Sequence, residues 1–206
     1  MFITFEGTEG SGKSLQVREL VKRLRSRGVD VLATHEPGGT PLGNQLRELL
    51  LLRADLNLEA RAEALMMNAS RAQLVEQVIR PALERGEVVV CDRFADSTLA
   101  YQGAGRGLDV HVLKSVISFA TAGLEPDVTM LLDLPVEDGL ARKHARPDWN
   151  RFEGETLAFH ERVRAAYRAM ASDDPKRWRC FDASGSPEAL ADAIWAAVAT
   201  RMGLEP

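Results

Sequence analysis

The sequence predicts an α/β fold in which helices cover both faces of a five-stranded parallel sheet. Five runs rich in Val, Ile, Leu and Phe have the character of strands, at residues 2–6, 29–34, 87–92, 127–133 and 178–182. Their apolar residues are continuous rather than alternating, which is typical of parallel strands buried on both faces. Helical patterns separate the strands, so right-handed βαβ crossovers and a three-layer sandwich are expected.

Helices are expected near residues 13–27, 42–53, 59–85, 109–122, 135–145, 153–171 and 186–202. Gly28 and Gly86 follow two of these segments and are expected to end them, since glycine tolerates the left-handed conformation found there. Asp109 and Ser186 precede two others and are expected to be N-caps. Helix propensity is low within residues 142–151, which predicts a loop or a mobile flap at that point.

Length and composition predict one soluble domain. The chain has 206 residues, of which 45% are hydrophobic and 27% are charged, enough for a sizeable core. The sequence contains no run of about 18 apolar residues, so no transmembrane helix is expected. The first strand begins without a basic leader, so we expect a cytoplasmic protein. The net charge of −4 offers no basic footprint, so neither nucleic acid nor a membrane is expected as a partner.

The two cysteines predict neither a disulfide nor a metal site. Cys91 and Cys180 each lie within an apolar run and are expected to be small buried side chains. No second cysteine or histidine stands at a metal-ligand spacing from either one.

The first predicted strand is followed by a phosphate-binding pattern, G-x-x-x-x-G-K-[ST]. Its residues are Gly7, Thr8, Glu9, Gly10, Ser11, Gly12, Lys13 and Ser14. The strand before it and the helix after it are the context that this pattern requires, although a glycine-rich turn that binds nothing is the alternative. The glycines let backbone N–H groups turn towards phosphate oxygens, and the helix N-terminus adds partial positive charge. Lys13 is expected to reach the β- and γ-phosphates of ATP and Ser14 to bind Mg²⁺, which predicts a fold of the P-loop NTPase type.

Two polar segments follow the next strands. Residues 36–41 contain two prolines and two glycines, which predicts either a constrained turn beside the site or a plain connection; Glu36-Pro37 is a candidate cis bond. Asp92 ends the third strand and is expected to hold Mg²⁺, while the Arg93 guanidinium suits a phosphate. A structural ion pair is the alternative for these two.

Further candidate residues lie on the helices. Arg47 and Arg71 are either exposed helix residues or contributors to the cleft. Residues 97–103 offer hydroxyls, a phenol and an amide, which suit a base and a sugar or a polar loop equally. Four cations lie within ten residues at Arg142, Lys143, Arg146 and Arg151. Because the variable P-loop positions carry no positive charge, this cluster is the available source of charge for phosphoryl transfer; a solvated helix face is the alternative.

These segments together resemble the bacterial thymidylate kinase family over essentially the whole chain. The resemblance is carried by residues 5–7 leading into the P-loop, 36–40, 61–63 leading to 69–73, 92–94, and 97–103. It implies a single P-loop kinase domain over residues 1–206, with a lid at about 142–151 that supplies basic residues. A homodimer is implied by the resemblance alone.

The resemblance also implies a role for each matching position. Glu9 matches a carboxylate near the 3′-hydroxyl of the nucleoside monophosphate, and Arg47 and Arg93 match arginines on its phosphate. Arg71, Thr98 and Gln102 match groups around the thymine, and Tyr101 matches a residue that crowds the sugar against a 2′-hydroxyl. Met67 stands where the family usually stacks a phenylalanine on the base. Arg142 matches a lid arginine over the ATP base, and Arg146 and Arg151 match phosphate clamps. His35, His144 and Asn150 are further departures from the family pattern.

We therefore expect a kinase that transfers the γ-phosphoryl group of ATP, with Mg²⁺, to dTMP. Its catalytic residues are expected to be Lys13, Arg93, Arg146 and Arg151. A kinase of another nucleoside or nucleotide remains the nearest alternative, because fold does not determine substrate. A non-catalytic nucleotide switch is the alternative from another class.

Overall fold

The computed structural model describes residues 1–53, 55–144 and 151–205 and contains one parallel sheet. Its strands are β1 (Phe2–Glu6), β2 (Val31–His35), β3 (Val88–Asp92), β4 (Val128–Asp133) and β5 (Trp178–Asp182). They lie in the order β2-β3-β1-β4-β5, and every pairing is parallel. The predicted fold class is confirmed, and each strand lies within two residues of its expected position.

The helices also follow the expected order. They are α1 (Lys13–Ser26), α2 (Pro41–Leu51), α3 (Ala60–Leu74), α4 (Arg80–Glu84), α5 (Ala95–Thr98), α6 (Val110–Thr121), α7 (Val136–His144), α8 (Leu157–Asp173) and α9 (Pro187–Met202). A π-helical segment, Val75–Ile79, joins α3 to α4. The caps are confirmed: Gly28 and Gly86 have φ of 74° and 82°, and the Asp109 and Ser186 side chains accept backbone N–H bonds at the starts of α6 and α9.

Residues 95–105 are helical, contrary to the polar loop that the sequence left open. Helix α5 continues into a π-helical segment, Leu99–Gly105. Gly103 and Gly105 lower its helix propensity, so the sequence pattern did not indicate a helix. Tertiary contacts stabilise it instead: Asp96 in the first turn is buried and pairs with Arg177, at 2.7 Å between Oδ2 and Nη1. The segment also packs against α8.

The core lies on both faces of the sheet. On one face Ile3 packs with Leu24 of α1 and Ile194 of α9. On the other face Phe2 packs with Leu74 at the end of α3. None of the helices in the described ranges is long and apolar enough to cross a membrane.

The prediction for the two cysteines is half correct. Cys91 in the interior strand β3 is fully buried. Cys180 is exposed, because β5 is the edge strand and only Trp178 within it is buried. Apolar sequence character alone did not distinguish an edge strand from a central one.

Candidate active site

One large cleft lies beyond the carboxyl ends of β1, β2 and β3. Its volume is about 1250 Å³, and it is lined by the P-loop, the turn after β2, residues 92–94 after β3, faces of α2 and α3, and two residues of α7. Strands β3 and β1 are neighbours, so the P-loop and residues 92–94 meet at one edge of the sheet. This is where a parallel α/β sheet binds ligands.

The P-loop has the backbone that its glycines predict. Gly7, Gly10 and Gly12 have φ of 145°, 70° and 89°, values that side chains rarely permit. At Gly10 the space is closed as well, because an added Cβ would lie 2.1 Å from the carbonyl oxygen of Gly139. The loop therefore depends on glycine both for its backbone conformation and for its contact with α7.

Lys13 is buried beneath this loop. Its ammonium donates to the carbonyl oxygens of Gly7 and Thr8 at 3.0 and 2.8 Å and to Ser11 Oγ at 3.2 Å. Burial and the nearby Arg93 guanidinium lower the pKa of Lys13 to about 8, against the attraction of surrounding carboxylates. The ammonium is thus held against the P-loop backbone.

The two residues predicted to bind a metal lie side by side. Ser14 Oγ donates to Asp92 Oδ2 at 2.5 Å, and both residues line the cleft. Both offer oxygen atoms, as Mg²⁺ prefers, and a magnesium site commonly takes one or two protein oxygens and completes its shell with phosphates and water. The pair therefore fits an Mg²⁺ ion bound together with ATP.

Arg93 links the P-loop to the opposite wall of the cleft. Its Nη2 donates to Glu9 Oε2 at 2.8 Å and to the Tyr101 hydroxyl at 3.1 Å, while Nη1 donates to the Gly7 carbonyl at 3.1 Å. Tyr101 in turn donates to Glu9 Oε1 at 2.9 Å. Burial raises the pKa of Glu9, but Arg93 and Lys13 outweigh burial and lower it to about 2.

Arg71 is a buried side chain with almost all of its donors satisfied. It is 2% exposed, and its guanidinium pairs with the buried Glu36, at 2.9 Å from Nε and 2.7 Å from Nη2 to Oε2. Nη1 donates to Asn68 Oδ1, and Nη2 also donates to Thr98 Oγ1 at 3.1 Å. Burial raises the pKa of Glu36 and Arg71 opposes that rise. Arg71 and Thr98 both line the cleft, so Arg71 is not the exposed helix residue that the sequence allowed.

Gln102 and Arg151 meet at one buried carboxylate, Glu63. Gln102 Nε2 donates to Glu63 Oε1 at 2.8 Å, and Arg151 Nη2 forms an ion pair with Oε2. Arg106 is a third partner, at 3.2 Å between its Nη2 and Oε2. In this structure Arg151 therefore contacts the wall that holds Gln102.

The remaining predicted residues are also located around the cleft. Arg47 is partly buried and donates to the Pro37 carbonyl at 2.9 Å, and the Glu36-Pro37 bond is cis as predicted. Met67 packs against the cluster that contains Tyr101 and Phe152. Arg142 of α7 donates to the Ala183 carbonyl at 3.1 Å. Arg146 lies outside the described residues, as do residues 145–150 of the proposed lid.

Sequence reasoning missed a buried network behind Arg93. Glu6, at the end of β1, accepts from Phe94 N at 2.8 Å, Ser97 Oγ at 2.6 Å and the Tyr167 hydroxyl at 2.8 Å. Burial and the nearby Asp96 raise the pKa of Glu6 to about 7. The signal was present, because a glutamate ending an otherwise apolar strand needs buried partners; its partner Tyr167 is 161 residues away and gave no signal.

Known proteins resemble this chain over nearly its whole length. The thymidylate kinase family model matches residues 5–194. The chain is similar to a thymidylate kinase of Thermomicrobium roseum, with 56% identity over 96% of this chain and 93% of that protein. It is 54% identical to one of Desulfovibrio desulfuricans, over 91% of this chain and 90% of that protein.

A solved structure is also similar. The crystal structure of thymidylate kinase from Ehrlichia chaffeensis superposes with a TM-score of 0.77 at 31% identity, covering 98% of both chains. Family model, relatives and fold thus agree over nearly the whole sequence. The chain therefore belongs to the thymidylate kinase family.

Proposed function

We propose that the two ends of the cleft bind ATP and dTMP so that their phosphates meet at Arg93. The chain transfers the γ-phosphoryl group of ATP to dTMP and gives dTDP and ADP. One observation carries the proposed geometry: the Arg93 guanidinium touches the P-loop through the Gly7 carbonyl and Glu9, and it touches the opposite wall through the Tyr101 hydroxyl. A phosphate bound at Arg93 is therefore next to a phosphate bound at Lys13.

On the donor side, backbone N–H groups of residues 7–14 and the α1 N-terminus bind the ATP phosphates. Lys13 exchanges its loop carbonyl partners for phosphate oxygens. Ser14 and Asp92 would hold Mg²⁺, which would supply positive charge to offset that of the phosphates. Arg142 lies over the adenine.

On the acceptor side, Arg47 and Arg93 bind the phosphate of dTMP. Glu9 and Tyr101 lie beside the sugar, where the ring of Tyr101 leaves little room for a 2′-hydroxyl. Met67 contacts the face of the base. Polar groups of the cleft wall form hydrogen bonds with the edge of the base; these groups belong to Arg71, Thr98 and Gln102.

The reaction needs no general base. The attacking oxygen of dTMP is already anionic, and the transition state of phosphoryl transfer is loose, so positioning and positive charge supply most of the catalysis. Lys13 is held in place by the P-loop, and Arg93 is held by Glu9 and the hydroxyl groups around it. Fixed charges need little reorganisation during the reaction.

The proposed lid, residues 142–151, supplies the remaining cations, Arg146 and Arg151. Arg151 must leave its ion pair with Glu63 to reach a phosphate. Replacing both arginines by alanine should lower turnover by roughly 10²-fold or more and leave dTMP affinity nearly unchanged, because these contacts form at the transition state. Weaker dTMP binding with unchanged turnover would assign both arginines to the acceptor site instead.

An acceptor panel tests the proposed function. ADP release is measured with dTMP, dUMP, dCMP, dGMP and thymidine in parallel. We expect the highest kcat/KM with dTMP. A higher value with another acceptor would indicate a different kinase on this fold, and slow ATP hydrolysis that no acceptor stimulates would indicate a nucleotide switch.

We also propose a cytoplasmic homodimer whose ligands are nucleotides, without nucleic acid or membrane as a partner. The net charge of −4 supports the last part of this proposal, because a protein that binds nucleic acid usually carries an excess of positive charge. Exposed apolar side chains on α6 support a second copy: Phe119 is 90% exposed and Val112, two turns away on the same face, is 60% exposed. Leu65 on α3, the helix that packs against α6, is also exposed. Sedimentation of F119R should show a monomer if α6 forms the interface.

A further inference from the structure

Glu63 is a buried carboxylate that does not line the cleft but contacts a residue that does. It lies on α3 with 0% exposure, and its three partners come from two other segments, residues 99–106 and the segment that begins at Arg151. Gln102 Nε2 lies 2.8 Å from Oε1, Arg106 Nε 3.3 Å from Oε1, and Arg151 Nη2 is paired with Oε2. Two guanidinium groups, those of Arg106 and Arg151, form ion pairs with it.

This contact determines which end of the Gln102 amide faces the carboxylate. A carboxylate only accepts hydrogen bonds, whereas an amide offers a donor end and an acceptor end. Turning the amide round would place Oε1 against Glu63 Oε1, two acceptors at hydrogen-bond distance with no proton between them. Gln102 must therefore present Nε2 to Glu63. Its Oε1 remains as the acceptor for the cleft that Gln102 lines.

The fixed acceptor has a consequence for base selection. Thymine and uracil carry a proton on N3 and can donate to an amide oxygen. Cytosine has an unprotonated N3, which is an acceptor and would face Gln102 Oε1 without a proton. A buried donor or acceptor left unpaired is strongly disfavoured, so the orientation of one amide distinguishes the two kinds of pyrimidine.

We propose that Glu63 is a positioning residue that sets the hydrogen-bonding polarity of Gln102, and so makes the acceptor site select a pyrimidine with an N3–H over cytosine. The inference rests on the proposed position of Gln102 beside the base. Glu63 itself touches no substrate. Arg106 keeps Glu155, 2.6 Å from its Nη1, when Glu63 is changed, so loss of the Glu63 charge leaves that arginine paired.

The test compares kcat/KM for dTMP, dUMP and dCMP in wild type and E63Q. The amide introduced on α3 offers both a donor and an acceptor, so the Gln102 amide becomes free to turn. We expect the preference for dTMP over dCMP to fall about 10-fold or more. The ratio of dTMP to dUMP should not change, since both bases carry the N3–H. Release of Arg151 affects all three acceptors equally and cancels in these ratios.

A swapped variant, E63Q/Q102E, is the matched control. The amide at position 63 donates to the carboxylate at position 102 and keeps its oxygen as an acceptor for the arginines. The carboxylate at position 102 still presents an acceptor to the base. The preference for dTMP over dCMP should return towards the wild-type value. A folded E63Q with an unchanged preference overturns the inference. If E63Q does not fold, the swapped variant decides, and loss of the preference there overturns it.

Q102L separates this inference from the proposed function. If Q102L leaves the preference unchanged, Gln102 does not read the base, and its proposed position is wrong together with the inference. If Q102L abolishes the preference while E63Q retains it, Gln102 reads the base without help from Glu63, and only the inference fails.

Discussion

The proposed site for the ATP phosphates is formed by eight consecutive residues, 7–14, whereas the acceptor side is assembled from side chains that lie far apart in the chain. Arg71 and Glu36 are separated by 35 positions, Gln102 and Glu63 by 39, and Arg93 and Glu9 by 84. Each of these acceptor-side groups is bound by a carboxylate that is buried or nearly so. The site for the ATP phosphates instead uses mainly backbone groups and one lysine, Lys13.

The difference follows from what each side recognises. Phosphates are bound well by backbone N–H groups, which a short loop can supply wherever glycine permits the conformation. A base and a sugar have edges of fixed polarity, and only oriented side chains can match them. An arginine or glutamine oriented in a buried wall needs a partner for its remaining donors. The carboxylates Glu36 and Glu63 provide those partners for Arg71 and Gln102.

The largest expected effect is on the donor side. Lys13→Ala should lower kcat on the order of 10³-fold or more, because the lost ammonium contacts the phosphoryl group in transit. Lys22→Ala, on the exposed face of the same helix, is the matched control and should leave kcat unchanged. If Lys13→Ala keeps more than a tenth of wild-type kcat while Lys22→Ala is normal, the donor site is assigned wrongly.

The next effect concerns stability on the acceptor side. Glu36→Gln should lower the free energy of unfolding by about 3–5 kcal/mol, because Arg71 stays buried without its counter-charge. Asp192→Asn breaks the Arg23 ion pair at the surface, where Asp192 is 72% exposed, and should cost only about 0–1 kcal/mol. Urea unfolding measures both. Equal losses would mean that burial of the Arg71 pair has no special consequence.

The pairing of Glu9 with Arg93 predicts a pH dependence. Glu9 has a pKa of about 2 in the folded protein, compared with 4.5 for an unperturbed glutamate. Its contribution to stability is therefore complete above pH 4.5 and is lost as the pH falls towards 2. Glu9→Gln should therefore lose less stability than wild type over that interval.

Glu6 provides the opposite case. Its pKa is raised from 4.5 to about 7, so its contribution is complete below pH 4.5 and is lost as the pH rises through 7. The free energy of unfolding of wild type, Glu9→Gln and Glu6→Gln, measured across both pH intervals, gives the two pH dependences.

The difference in free energy of unfolding between wild type and Glu9→Gln should change between pH 4.5 and pH 2. A constant difference would contradict the ion pair of Glu9 with Arg93.

These buried carboxylates also mark the limit of prediction from sequence. The sheet, the helix order and the P-loop were predicted because apolar runs and a local pattern determine them. Arg71, Thr98 and Gln102 were identified through the family resemblance, but their partners were not. A partner such as Glu63 or Tyr167 is separated by tens of residues or more from the group it binds, and no local pattern indicates which side chains meet. The helix at 95–105 was missed for the same reason, since the distant Arg177 holds its first turn.

The smallest expected effect is at the face of the base. Met67→Phe should tighten dTMP binding by roughly 0.5–1.5 kcal/mol, because a flat ring stacks on a base better than a thioether does. Calorimetric titration with dTMP measures it. If the wall formed with Tyr101 and Phe152 is packed around the flexible side chain, the ring would overfill it and weaken binding by about 1–3 kcal/mol. An unchanged dissociation constant would mean that residue 67 does not touch the base.

If the buried carboxylate of Glu36 organises only the acceptor side, its loss should weaken dTMP binding and spare ATP binding. Titration of folded Glu36→Gln with dTMP and, separately, with ATP measures both effects. Loss of the carboxylate leaves Arg71 without its fixed orientation, so the dissociation constant for dTMP should rise about 10-fold or more, a change of about 1.4 kcal/mol. The dissociation constant for ATP should remain at the wild-type value. An equal rise for both nucleotides would contradict the account, because Glu36 would then support the whole cleft rather than its acceptor side.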